Sequence, residues 1–114
     1  MIETTSEFCF LYSTFPNKDA ALATARLLID RKLAACVNIF PPMTSVYVWD
    51  GKREETAETA ALIKTRRVLA DTAIAAAREV HDYSVPCFVV LPIEAGNADY
   101  LAWVRAATET PVSI

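Results

Sequence analysis

The chain has 114 residues, 54% of them hydrophobic, with 11 basic and 14 acidic side chains and a net charge of −3. That length suits one domain, read here over residues 1–114, able to bury a core without disulfide staples. The acidic balance argues against a nucleic-acid partner, and no apolar run approaches the roughly 18 residues of a membrane span.

The opening "MIETTSE" lacks the basic start and apolar stretch of a signal peptide. It reads as a frayed lead over residues 1–7, and the expected location is cytoplasmic. "FCFLYST", Phe8 to Thr14, is a short apolar, aromatic run and predicts a buried strand. Pro16-Asn17 breaks it and starts a helix whose inner stripe is Ala21, Ala25 and Leu28, with Asp30, Arg31 and Lys32 at its outer end. "AACVNIF", Ala34 to Phe40, is a second strand. Pro41-Pro42 interrupts it, because proline donates nothing to a ladder. The strand resumes to Trp49, turns at Asp50-Gly51, and returns from about Arg53 to Thr65. Asp-Gly is the strongest hairpin dipeptide, since both residues accept the positive φ of a type I′ turn. Lys64-Thr65-Arg66-Arg67, the densest basic run, reads as a solvated strand end.

Ala70, Ala73, Ile74, Ala77, Val80 and His81 share one face of a helix over Val68 to His81. "VPCFVVLPI", Val85 to Ile93, predicts the next strand, and "EAGN" a turn. Asn97 then caps a last helix with Tyr100, Leu101, Val104 and Ala107 inward. A tail over 109–114 is expected to fray. The order β-α-β-β-α-β-α predicts the split βαβ of an α+β, ferredoxin-like fold: an antiparallel sheet with two helices on one face, plus a C-terminal helix.

The hairpin, Thr44 to Thr65, pairs Trp49 with Lys52 and Tyr47 with Glu54. Arms of about twelve residues would run about 40 Å, against a radius of gyration of about 13–14 Å for a compact domain of this size. Tyr47 and Trp49 would sit on one face of the projecting tip, Val46 and Val48 on the other. Either neighbouring copies in a closed ring cover these faces, or a shorter hairpin folds over its own sheet.

Catalytic signatures are lacking. Two glycines are too few for a phosphate-cradling loop, there is no GxSxG or HExxH, and Glu54, Glu55 and Glu58 read as a solvated acidic rim. The expectation is that the protein is not an enzyme. Cys9, Cys36 and Cys87 are odd in number, widely spaced and flanked by apolar residues, which reads as three buried thiols. "HDYSVPCF", His81 to Phe88, brings His81, Tyr83 and Cys87 together in sequence, a ligand set suited to copper or zinc. The other reading is structural: a histidine in a last helical turn and a core cysteine after proline.

"KLAACVNIFPPMTSVYVWDGK", "LIKTRR", the His81-x-Tyr83-x-Val85-Pro86 pattern and "LPIEAGNADYLAWV" together resemble the CutA divalent-cation tolerance family, from about Phe8 to Ala107. The resemblance implies a P-II-like trimer whose long hairpins pair between subunits, and a role in tolerance of copper and other divalent metals with no established reaction. It places Cys36 at the family's usual cysteine and His81 and Tyr83 at its His and Tyr. Asp82 stands where proline is usual, and Cys87 where glutamate is. The implied metal set is Cys36, His81, Tyr83 and Cys87, at clefts between subunits. The alternative is a P-II-like signalling or small-molecule module linked to metals only indirectly.

Overall fold

The computed structural model describes residues 1–109. Alternation of apolar residues drives β1, Ile2–Phe15, which buries Cys9, Leu11, Ser13 and Phe15 on one face. Asn17 stops the strand and starts α1, Lys18–Asp30, by accepting the Ala20 amide on its side chain at 2.9 Å. The stripe Ala21, Thr24, Ala25, Leu28 faces inward as its spacing requires. Lys32, at φ 58°, lies just past the helix end, where Leu33 N–H bonds Leu28 O and Lys32 N–H bonds Ile29 O. That is a Schellman closure built without glycine.

The second strand is split by its proline pair into β2, Cys36–Ile39, and β3, Met43–Trp49. Asp50 (φ 55°) and Gly51 (φ 78°) form the tight turn into β4, Lys52–Arg66. A single 3₁₀ turn, Arg67–Leu69, leads into α2, Ala70–Arg78. β5, Phe88–Asn97, and α3, Ala98–Ala107, complete the described chain. The sheet order is β2-β4-β1-β5, all antiparallel, with β3 continuing the pairing along β4. This is the expected ferredoxin-like plan.

α1 and α2 cover one face. There Leu28, Ala73, Ala76 and Ala77 close on Cys9, Leu11 and Ile63, the small alanines letting helix and sheet approach. α3 seats Leu101 and Val104 over Phe8, which belongs to the alternate set of β1 residues and so to the other face. Arg105 of α3 grips Glu7 with two bonds of 2.9 Å, and Arg66 donates to the hydroxyl and carbonyl of Thr108. The Arg105 guanidinium holds the Glu7 carboxyl below its usual range. A depressed folded-state pKa gives stability that is present above the unfolded value, near 4, and is lost as pH falls through the folded one. Acid melting curves should therefore fall more steeply for the wild type than for Glu7→Gln below about pH 4. Parallel curves would deny the pair any role.

Several expected boundaries differ. Residues 1–7 are not a frayed lead: Ile2 to Thr4 pair with Asn97 to Ala95, past an irregularity between Thr4 and Phe8. "EAGN" is likewise strand rather than turn, because that N-terminal segment offers it a ladder that outweighs the turn preference of Gly and Asn. α2 is shorter than Val68 to His81, and Val85 to Cys87 precede β5 rather than opening it. Asn97 stands at the cap position without a side-chain capping bond, and Tyr100 is half-exposed while Leu101 and Val104 are buried. Of the tail expected to fray, Glu109 is described as irregular and 110–114 lie outside the described residues.

The hairpin is as registered from sequence, Trp49 opposite Lys52 and Tyr47 opposite Glu54. β1 accompanies β4 only as far as Phe15 opposite Thr59. The seven residues of β3 and their partners therefore project past the sheet, by about 23 Å. The arms are as long as expected, because pairing continues past the proline break with β4 bonded to β3 and then β2, but the inner part of each arm lies within the sheet and the outer part alone projects. It still stretches the domain to 52 × 32 × 22 Å with a radius of gyration of 15.3 Å. In one copy of the chain Val46 is 61% exposed, Val48 69% and Trp49 55%.

Candidate ligand cleft

After α2 the chain turns back toward the end of β1 through residues 79–87. His81 anchors that turn. Its Nδ1 accepts the Tyr83 amide at 3.1 Å, so Nε2 carries the hydrogen and donates to Thr14 O at 2.9 Å. The ring stacks on Phe15 at 4.8 Å and meets Phe88 edge-on at 5.7 Å. Both nitrogens are thus engaged within one chain, though not at a helix end: α2 stops at Arg78, and His81 bonds β1 and its own loop instead. Ser13 Oγ donates to Cys87 O at 2.7 Å and pins the other end of the loop.

Between this loop and the hairpin lies a cleft of about 670 Å³. Tyr47 and Trp49 of β3, Glu58 of β4, and Tyr83, Val85 and Cys87 of the loop form its main walls. Side chains directly opposite on paired strands share a face. Tyr47 opposite Glu54 and Ser45 opposite Thr56 therefore put Tyr47, Trp49, Thr56 and Glu58 on one side of the ribbon, with Val46 and Val48 on the other. Tyr83 reaches across to donate its hydroxyl to Glu58 Oε2 at 2.8 Å. Burial first, then the bond to the Glu58 carboxylate, raises the Tyr83 phenol well above its usual range. The neutral phenol is thus favoured in the fold, a contribution intact below the ordinary value near 10 and lost as pH climbs above it. The difference in phenolate absorbance between wild type and Tyr83→Phe should show Tyr83 ionising above the usual phenol range, and earlier in Glu58→Gln. Ionisation of Tyr83 in the usual range would contradict the bond. Burial, then the Glu58 charge, also pushes the Cys87 thiol up, so a metal there would have to displace a proton.

Of the four residues implied as metal ligands, the structure brings Tyr83 and Cys87 to the cleft and His81 directly behind it. Cys36 sits elsewhere: it pairs with Lys64, six residues along β4 from Glu58, about 20 Å at strand spacing. Among the described residues, no three His, Cys, Asp or Glu side chains converge to hold an ion. Glu58, Tyr47 and Trp49 were missed as site residues. Extending the Tyr47–Glu54 register by two pairs would have placed Glu58 on the aromatic side.

The ferredoxin-like α+β fold of this chain is shared with known proteins. The CutA1 divalent ion tolerance protein family model matches residues 9–107, and the chain belongs to that family. It is 43% identical over 99 residues to human Protein CutA, covering 87% of this chain and 55% of the human protein. It is 38% identical to the divalent-cation tolerance protein CutA of Archaeoglobus fulgidus, over 88% of this chain and 97% of the relative. The crystal structure of CutA1 from Oryza sativa superposes with a TM-score of 0.88 at 42% identity, covering 96% of this chain and 100% of that one. The chain thus spans little more than half the length of the human relative and nearly all of the archaeal one. A rice relative is named chloroplastic and the Archaeoglobus structure periplasmic. No helix among the described residues is long and apolar enough to cross a membrane.

Proposed function

We propose that this chain acts as a homotrimer in divalent-cation tolerance, holding copper or a similar ion where subunits meet and catalysing no reaction. The observation that carries the reading is the ribbon from Met43 to Glu58, whose Val46 and Val48 stand uncovered side by side on one face in one copy. Exposed apolar surface on a protruding β-ribbon favours pairing with another chain, and closed symmetry is the arrangement that leaves no open edge. Cys36 and the Tyr83–Cys87 pair are separated within one chain, so a shared ligand set would draw on different subunits. Three free cysteines suit a reducing compartment such as the cytoplasm. Calorimetric titration of the purified protein with copper tests the metal role. One sub-micromolar site per chain, lost in Cys36→Ser, supports it; only weak, sub-stoichiometric heat removes it.

A second reading is favoured by the cleft itself. Its volume of about 670 Å³ and aromatic walls suit a small molecule, as in a P-II-like binding module whose link to metals is indirect.

A further inference from the structure

We infer that the cleft beneath the hairpin binds a small organic ammonium ion. This deepens the second reading above and rests on it. The cleft's charge has one sign: Glu58 and Asp82 line it, and among the described residues no lysine, arginine or histidine does. Its walls are aromatic. Tyr47 and Trp49 share the ribbon face that carries Glu58, and Tyr83 stands opposite, tied to Glu58. In one copy of the chain Tyr47 and Trp49 are both exposed.

A hard metal ion calls for several oxygen donors converging on one point, and among the described residues no three His, Cys, Asp or Glu side chains do so. A weakly hydrated organic cation asks for something different: aromatic faces for its apolar, positively charged surface and one or two carboxylates nearby. The cleft offers both. It is also compatible with an assembled hairpin. Val46 and Val48 project from the ribbon side away from Tyr47, Trp49 and Glu58, so a neighbouring subunit seated on those valines leaves the aromatic side to the ligand.

Trp49 makes the test direct. Trp103→Phe removes the other of the two tryptophans, leaving Trp49 as the fluorescent reporter. The full chain is titrated with choline, and separately with its uncharged tert-butyl isostere, at ionic strength fixed with sodium chloride. Choline should give a saturable change in Trp49 emission. Binding should be about tenfold weaker for the isostere and about tenfold weaker in Glu58→Gln, the scale of one well-placed cation contact. Glu58→Gln keeps an acceptor for Tyr83; Asp82→Asn, in the exposed loop, serves as a second variant and should weaken binding in the same direction. No saturable change with choline overturns the inference, as does indifference to both carboxylate variants. Equal binding of the isostere overturns the ammonium assignment but leaves the small-molecule reading standing. That reading itself fails if choline, the isostere and, as an anionic probe, succinate all leave the melting temperature unmoved.

Discussion

Phe8→Ala is expected to cost about 3–5 kcal/mol of stability. Phe8 is 0% exposed and forms the apolar centre of α3's seat: Leu101 and Val104 close over it, with Ile93 and Ala35 at the sides. The Arg105 guanidinium lies 5.4 Å from its ring centroid, in the same pair that grips Glu7. Truncation loses the transfer free energy of the ring and leaves a cavity between β1 and α3 that neither element can collapse to fill. The backbone bond from Ala98 N to Met1 O ties α3's start to the first strand, so loosening the helix should also loosen residues 1–4. Denaturant unfolding at fixed protein concentration measures the loss, since an oligomer's stability depends on concentration. Phe8→Leu, closer in volume, should lose clearly less. A loss under about 1 kcal/mol for the alanine variant would mean α3 is not held as described.

The double variant Val46→Asp/Val48→Asp should break the assembly while sparing the fold. Both valines are more than half exposed in one copy and lie on the projecting ribbon. Within a lone chain such surface changes cost within about 0.5 kcal/mol each. Against a neighbouring subunit, each introduces an unpaired charge into an apolar contact, which is strongly destabilising. The expected result is a circular dichroism spectrum like the wild type's and a particle that falls to the 12.6 kDa of one chain. A variant with the wild-type mass would show that this ribbon face is not an interface.

Much of the fold was legible because several local signals agreed. Asp50-Gly51 set the hairpin register to the residue, since the turn leaves no choice of pairing. Ala21, Ala25 and Leu28 fixed the buried face of α1 by spacing alone. The failures cluster where partners distant in sequence decide. "EAGN" has turn chemistry, yet extends as strand because residues 2–4 pair with it, and the β-branched Ile2 and Thr4 there are too short a stretch to announce a strand without that partner. The length of the hairpin arms was legible from the turn and the proline break, whereas the share of them that projects depends on where β1 stops accompanying β4, a contact between segments distant in sequence.

The site was legible in part. "HDYSVPCF" did contain the loop that walls the cleft, but chemistry by residue type grouped His81 with Tyr83 and Cys87 as equals. The fold separates them: His81 spends both nitrogens on the backbone, while Tyr83 faces Glu58. Glu58 looked like one of three solvated carboxylates until the register put it opposite Met43 and beside the aromatic side chains.

The mass of the native particle in solution, by sedimentation equilibrium at working concentration, bears most directly on the proposal that copies of this chain shelter one another's ribbons. Three chains of 12.6 kDa should sediment as one species. A stable, well-behaved particle with the mass of a single chain would leave Val46, Val48 and their neighbours facing water and would contradict it.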